Sequence, residues 1–270
     1  MNQGNELTLQ EVQKESLEVL KKVKKIFDQN GWKYYLTYGT LIGAIRHEGF
    51  IPWDDDIDIW VPRDDYEKFI QYCKENKENL KPFEIIHYST NIKYIYPIAR
   101  FSNSNYYTEY DNVKDYGLGL FVDIYPLDGI NDDDKSYKKR ITRINKDICL
   151  AGLIKIVKSN STIKNIIKYP YFIFRKILGV NRLLIKQDTI SKKYNYKDSE
   201  KVWVSWANKQ IAFNKSDIIN KEECFKKFEN ETFRVPLKYD KILTEVYGDY
   251  MKLPPKEERI AQHFYKVYKK

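Results

Sequence analysis

The sequence predicts a mixed α+β domain with a central sheet flanked by helices. Two observations carry that prediction. Strand-like and helix-like stretches alternate through the first half of the chain, and a long basic helical stretch then separates them from a second set of strand-like segments. Hydrophobic residues make up 42% of the 270-residue chain and aromatic ones 15%, enough for a sizeable core, while Gly and Pro are sparse. One folded unit is expected. Its parts are an N-terminal helix (1–30), a core (31–130), a basic helical insertion (131–200) and a C-terminal part with a helical segment that completes the fold (201–270).

Each element has its own signal. From Glu6 to Gln29, apolar residues at Leu9, Val12, Leu17, Leu20, Val23, Ile26 and Phe27 recur at helical spacing, and Asn30-Gly31 supplies the stop. WKYYLTYG (Trp32 to Gly39) reads as a strand, and GTLIGAIR as a short helix after it. HEGFIPWD is a loop. IDIWV (Ile57 to Val61) is a second strand, followed by a helix that Pro62 starts. Phe83–Tyr88, Lys93–Phe101 and Tyr106–Tyr110 read as strands, and a further short one is centred on Phe121 to Ile124. Beyond the basic stretch, WVSWANKQ and FENETFRVP predict a return to the sheet, and KYDKILTEVYGDY a helix ended by Gly248.

The stretch FIPWDDDIDIW places Asp54, Asp55, Asp56 and Asp58 within five positions. Alternation along a strand puts Asp56 and Asp58 on one side, with Ile57 and Ile59 facing a core on the other. At roughly 6 Å and an effective dielectric of about 20, two such carboxylates repel by on the order of 3 kcal/mol. That is a heavy cost against a net stability of about 5 to 15 kcal/mol. A divalent cation turns the repulsion into coordination, and an oxygen-only ligand set points to Mg²⁺ or Mn²⁺. A calcium-binding EF-hand loop shares the spacing of Asp54, Asp56 and Asp58, but Ile59 stands where Gly is needed and Asp65 where Glu is needed. Asp123, between Val122 and Ile124, is a second carboxylate on an apolar strand and the expected third ligand. It is also a candidate to orient or deprotonate an attacking hydroxyl. Asp55 is the aspartate expected to be incidental.

YGTLIGAIRHEGFIPWDDDIDIWVPRDDYEKF (Tyr38 to Phe69), GLGLFVDIYPLDG (Gly117 to Gly129) and YGDYMKLPP (Tyr247 to Pro255) resemble the motifs of the LicD phosphotransferase family. The resemblance covers about Trp32 to His263 and implies a nucleotidyltransferase-like fold. It further implies transfer of a phosphorylated alcohol from a CDP-linked donor to a cell-surface glycan or its lipid-linked precursor. The alcohol is often choline, relatives such as fukutin-related protein use ribitol, and glycerol, ethanolamine or a phosphonate are the alternative donors. Carried onto these positions, it makes Asp56 and Asp58 the metal pair with Asp54 at the edge of the same site, and Gly39 and Thr40 contacts to the donor phosphates. Arg46 and Arg100 are candidates for the pyrophosphate because a guanidinium binds phosphate oxygens bidentately. His47 and His263 lie in stretches that resemble family motifs, and Trp53 and Trp60 are aromatic candidates to face a quaternary ammonium.

Charge and cysteine content bound the rest. Lys135 to Lys197 holds seventeen Lys and Arg against Asp147 and Asp188, a balance of +15 that leaves −6 elsewhere in a chain of net charge +9. This segment is the candidate contact with an anionic membrane surface, and a nucleic-acid-binding module is the rival it raises. A sugar-nucleotide glycosyltransferase, which also uses an Asp-x-Asp metal site, is the rival enzyme. The most apolar window, Ile166 to Val180, is too short to span a bilayer and carries Lys168, Arg175 and Lys176. The N-terminus has no secretory pattern, so a cytoplasmic protein is expected. Cys73, Cys149 and Cys224 lack metal or disulfide spacing and are expected to be buried thiols.

Overall fold

The first helix begins where Thr8 can cap it. The computed structural model describes residues 4–155, 169–174, 177, 179–207, 209–219, 222–260 and 265–270. In it, helix α1 (Leu9–Asn30) opens with a capping box in which the Thr8 side chain and Glu11 satisfy each other's backbone N–H groups, and it ends at Gly31 with φ +68°. Glu6, expected inside this helix, instead bridges to Tyr268.

Strand β1 is confined to Tyr35–Leu36, because Tyr38 already starts helix α2 (Tyr38–Ile42), which continues as a π-helical turn over Gly43–His47. Next come β2 (Asp58–Pro62), α3 (Arg63–Glu75), the single turn α4 (Lys77–Leu80) and β3 (Phe83–Ile86). Of the expected strand Lys93–Phe101, only its end is extended, as β4 (Ala99–Asn103). The residues before it run through turns to Pro97. β5 (Tyr106–Tyr110) is as expected. β6 (Leu120–Ile130) is far longer than the short strand predicted, because it is shared by several neighbours.

The basic stretch supplies α5 (Lys135–Gly152) and α6 (Val180–Ser191), which pack on each other, with residues 156–168 between them outside the described set. The chain then returns to the sheet through β7 (Lys201–Trp203) and β8 (Ala212–Asn214), followed by the short α7 (Lys215–Ile218). FENETFRVP does not join the central sheet. It pairs β9 (Cys224–Phe228) with β10 (Glu231–Val235) as a separate hairpin. α8 (Tyr239–Tyr247) stops at Gly248, and β11 (Tyr265–Lys269) pairs with β5, a pairing the sequence did not announce.

The main sheet runs β1-β2-β6-β4-β3, with β7 and β8 extending it from β6. β2 and β6 are parallel, and the other pairs are antiparallel. One face is apolar. Leu36, Ile57, Ile59, Val61, Val122, Ile124, Ala99 and Phe101 pack there with Val19, Leu20, Val23 and Phe27 of α1 and Phe69 of α3. Burial of such side chains contributes about 1.5–3 kcal/mol each, which holds the strands in register. The alternate positions of the same strands therefore project to the other face, and these carry Asp58, Asp123 and Arg100. Cys73 is buried as expected, but Cys149 is exposed on the outer side of α5 and Cys224 is half-buried.

Candidate active site

Register brings the charged residues together. Asp58 of β2 lies directly beside Asp123 of β6, and Asp123 lies directly beside Arg100 of β4, so three adjacent strands present carboxylate, carboxylate and guanidinium in a row. The Asp123 N–H donates to the Ile57 carbonyl at 2.9 Å, which fixes the start of β2 against β6. All three residues are buried, at 6–7% exposure.

Asp58 is the most strained of the group electrostatically. Its Oδ1 is buried without a hydrogen-bond partner. Burial, then the charges of Asp56, Asp123 and Asp54, push its carboxyl well above the usual carboxylate range, and Arg100 counteracts only part of this. A buried carboxylate oxygen with no donor, surrounded by further carboxylates, is the setting that a hard cation would satisfy. Asp54, Asp55 and Asp56 each offer an oxygen within 4.8 Å of one another, just before β2. Asp55, expected to be incidental, is buried within this group, and its backbone carbonyl accepts from the Tyr265 hydroxyl at 3.1 Å. Asp58 and Asp123 stand outside that tight group.

Arg100 explains the position of Asp123. Its Nε and Nη2 donate to the two Asp123 oxygens at 2.6 and 3.3 Å, and its Nη1 donates to the hydroxyls of Tyr116 at 2.6 Å and Tyr110 at 3.0 Å. Burial works against the guanidinium's charge, but Asp123 and the tyrosines more than offset it, so its pKa lies well above the ordinary value. Arg100 is therefore tied to carboxylate and phenol oxygens.

The loop that carries the aspartates is held from two sides. Gln13 of α1 donates from Nε2 to the backbone carbonyls of Asp54 at 2.8 Å and Ile51 at 3.3 Å. On the other side, Glu229, at the turn of the β9–β10 hairpin, accepts from the Phe50 N–H at 3.0 Å and donates its own N–H to the Glu48 carbonyl at 2.7 Å. Phe50 also packs on Phe228. Neither Gln13 nor Glu229 belongs to a recognisable motif, and only their contacts reveal them.

Gly39 and Thr40 sit against the aspartates. A Cβ on Gly39 would meet Asp54 Oδ2 at 2.4 Å, so the absence of a side chain lets that carboxylate lie on the start of α2. The Thr40 hydroxyl is buried and accepts the Asp58 N–H at 2.9 Å, holding the first residue of β2. Just before them Tyr38 has φ +46°, a conformation costing a non-glycine residue on the order of 1 kcal/mol, and its ring meets Tyr125 and Trp60 edge-on.

Other expected residues lie further out. Arg46 donates from Nη1 to the Tyr250 carbonyl at 2.6 Å and from Nε to His47 Nε2 at 2.9 Å, and so clips the YGDYMKLPP segment to the π-helical turn. Burial and the adjacent Arg46 lower the pKa of His47. Trp53 is half-buried, with His47 edge-on and the Arg259 guanidinium 5.7 Å from its ring. Trp60 is 1% exposed in a core with Leu127, Val202 and Phe213, so it is packing and not a surface for a ligand cation. The strand alternation that puts Asp58 on this face puts Trp60 there too, and β8, α7 and α8 cover it. His263 lies outside the described residues.

Residues 31–149 match the family model described as LicD/FKTN/FKRP, nucleotidyltransferase domain. Over 274 aligned residues, 97% of this chain and 98% of the relative, the sequence is 31% identical to the lipopolysaccharide cholinephosphotransferase LicD of Haemophilus influenzae. This chain belongs to the LicD family. Like the relative it matches end to end, it is a phosphotransferase enzyme. Shorter matches connect this LicD-family chain to uncharacterized proteins of Rickettsia typhi, at 38% identity over 23% of the chain and 20% of the relative, and Rickettsia prowazekii, at 35% over 31% and 29%. No helix among the described residues is long and apolar enough to cross a membrane.

Proposed function

We propose that this LicD-family enzyme transfers phosphocholine from CDP-choline to a hydroxyl of a lipopolysaccharide-type glycan or its lipid-linked precursor, releasing CMP. The observation that carries this reading is the end-to-end similarity to the Haemophilus influenzae cholinephosphotransferase, combined with the row of Asp58, Asp123 and Arg100 across three strands. The acceptor oxygen forms a new bond to the phosphorus that bears choline, and the bond from that phosphorus to the CMP oxygen breaks. The acceptor proton passes to a base, for which Asp123 is the candidate, and the electron pair of the broken bond leaves with CMP.

The residues that would hold a magnesium or manganese ion are Asp56 and Asp58, with Asp54 and Asp123 beside them, and the orphaned Asp58 Oδ1 supports that assignment. When bound, such an ion supplies charge stabilisation to pyrophosphate oxygens. The protein's own groups do the rest. Asp123, its plane fixed by Arg100, orients or deprotonates the acceptor hydroxyl. Gly39, whose missing Cβ lets Asp54 lie on the start of α2, and Thr40 are the candidate contacts for the donor phosphates beside the aspartates. Arg100, beside Asp123, is the candidate to steady the leaving CMP, while Arg46 lies further out and holds the YGDYMKLPP segment.

The same proposal places the enzyme in the cytoplasm, with residues 135–197 against the inner membrane face. The positive balance of that segment and the exposure of Ile173 and Ile177 support it. Incubating the protein and Mg²⁺ with CDP-choline, CDP-ethanolamine, CDP-glycerol or CDP-ribitol and a lipopolysaccharide acceptor tests the reaction. CMP release with CDP-choline at a rate well above the others is expected, and release from another donor alone would reassign the alcohol.

A further inference from the structure

Beside Asp56 and Asp123 lies a pocket of about 240 Å³ whose walls are mostly aromatic: Tyr96, Tyr110, Phe121, Tyr125, Trp206 and Tyr265. Its chemistry is visible in the cation it already holds. The Arg100 guanidinium sits 4.3 Å from the centre of the Phe121 ring and 4.4 Å from that of Tyr96. Attraction between a cation and an aromatic face is worth about 0.5–2 kcal/mol, more when water is excluded. Arg100 uses those two faces, and its charge is offset by Asp123. The wall also holds the rings of Tyr125, Trp206 and Tyr265, the last packed on Phe121 and Tyr110 at 5.7 and 5.2 Å, and a further carboxylate, Asp56.

We infer that this pocket, with Tyr125, Trp206 and Tyr265 among its rings and Asp56 in its wall, binds the quaternary ammonium of the donor alcohol. A trimethylammonium group donates no hydrogen bonds, so it is recognised by ring faces and negative charge and not by directional acceptors. A polyol such as glycerol or ribitol needs several hydrogen-bond partners, and of the pocket's phenols that of Tyr110 is engaged by Arg100 and that of Tyr265 by the Asp55 carbonyl. Choline's short carbon linker lets its nitrogen enter the pocket while its phosphate stays by the aspartates. The inference rests on the donor reading given above and adds the residues that select the alcohol. Trp206 is the member to test, since it lies between β7 and β8, in the WVSWANKQ stretch that the sequence offered only as part of the sheet.

Calorimetry on the full chain separates the two claims. The probes are CDP-choline, its uncharged carbon isostere CDP-3,3-dimethylbutanol, CMP, and tetramethylammonium chloride alone. The wild type should bind CDP-choline on the order of tenfold more tightly than the isostere. Trp206→Leu should lose that preference while binding CMP as the wild type does, which also reports that it is folded. Trp206→Phe should keep most of the preference. Equal wild-type affinity for the charged and neutral donors, or a Trp206→Leu protein that binds CMP normally and keeps the preference, overturns the pocket and leaves the donor reading intact. If the wild type binds neither donor, the donor reading fails. Tetramethylammonium then decides the pocket: binding that Trp206→Leu abolishes supports it, and no binding overturns it.

Discussion

Asp58 and Gly39 show what one residue contributes to this site. Asp58 is legible in the sequence, since isoleucines at Ile57 and Ile59 fix its facing. The company it keeps is not, because the register that sets Asp123 on one side and Arg100 one strand further on depends on distant pairings. Trp60 shows the limit of the same logic, since it shares Asp58's face yet lies under β8 and α8. Gly39 yields a prediction at this scale. In Gly39→Ala the new Cβ meets only the far end of the Asp54 side chain, and alanine is the better helix former by about 1 kcal/mol. The variant should melt within a few degrees of the wild type, yet release CMP at least about tenfold more slowly, because a displacement near 1 Å can cost that much. Circular dichroism melts and a CMP assay on the same sample check both.

Among the elements, β6 governs the fold more than its sequence suggested. It read as a short strand, but it extends to Ile130 because β2, β4 and β7 all pair with it. Its last turn of sequence, Asp128, is buried and held bidentately by Arg63 at 2.6 and 2.9 Å, while Arg63 also donates to Asp188 of α6 at 2.9 Å. This network ties α3 and the basic insertion to the end of the central strand, and no local pattern announces it. Arg63→Met should lower stability by about 3–5 kcal/mol, since Asp128 is left buried and unpaired, whereas Arg63→Met with Asp128→Leu should recover part of the loss. Urea unfolding of the two variants measures the difference.

For the whole molecule, the α+β class and the return of the chain to the sheet were readable from period and order. The separation of the β9–β10 hairpin from the central sheet and the β11–β5 pairing were not, because each depends on packing against distant parts of the chain, the hairpin turn on the aspartate loop and β11 on β5. Stability as a whole should respond to pH through His87, at the end of β3 and hydrogen-bonded to the Ser89 hydroxyl at 2.8 Å. Burial, against some support from Asp188, depresses its pKa to about 3 in the folded state, while the unfolded chain protonates it near 6.5. The folded state thus binds fewer protons between these values. Its stability is full above pH 6.5 and falls as pH drops toward 3, with a limiting slope of about 1.4 kcal/mol per pH unit. Melting temperatures recorded from pH 7.5 to 5 should decline in the wild type and less steeply in His87→Gln.

The central claim is that the strand carboxylates form the catalytic centre for transfer from a CDP-linked donor. The most direct measurement is CMP release from CDP-choline, with Mg²⁺ and acceptor, by Asp58→Asn protein whose circular dichroism matches the wild type. A loss of at least about a hundredfold is expected, by analogy with removal of a charge-stabilising group at other active sites, together with unchanged or higher thermal stability once the orphaned buried carboxylate is gone. A folded Asp58→Asn protein that released CMP at the wild-type rate would contradict it.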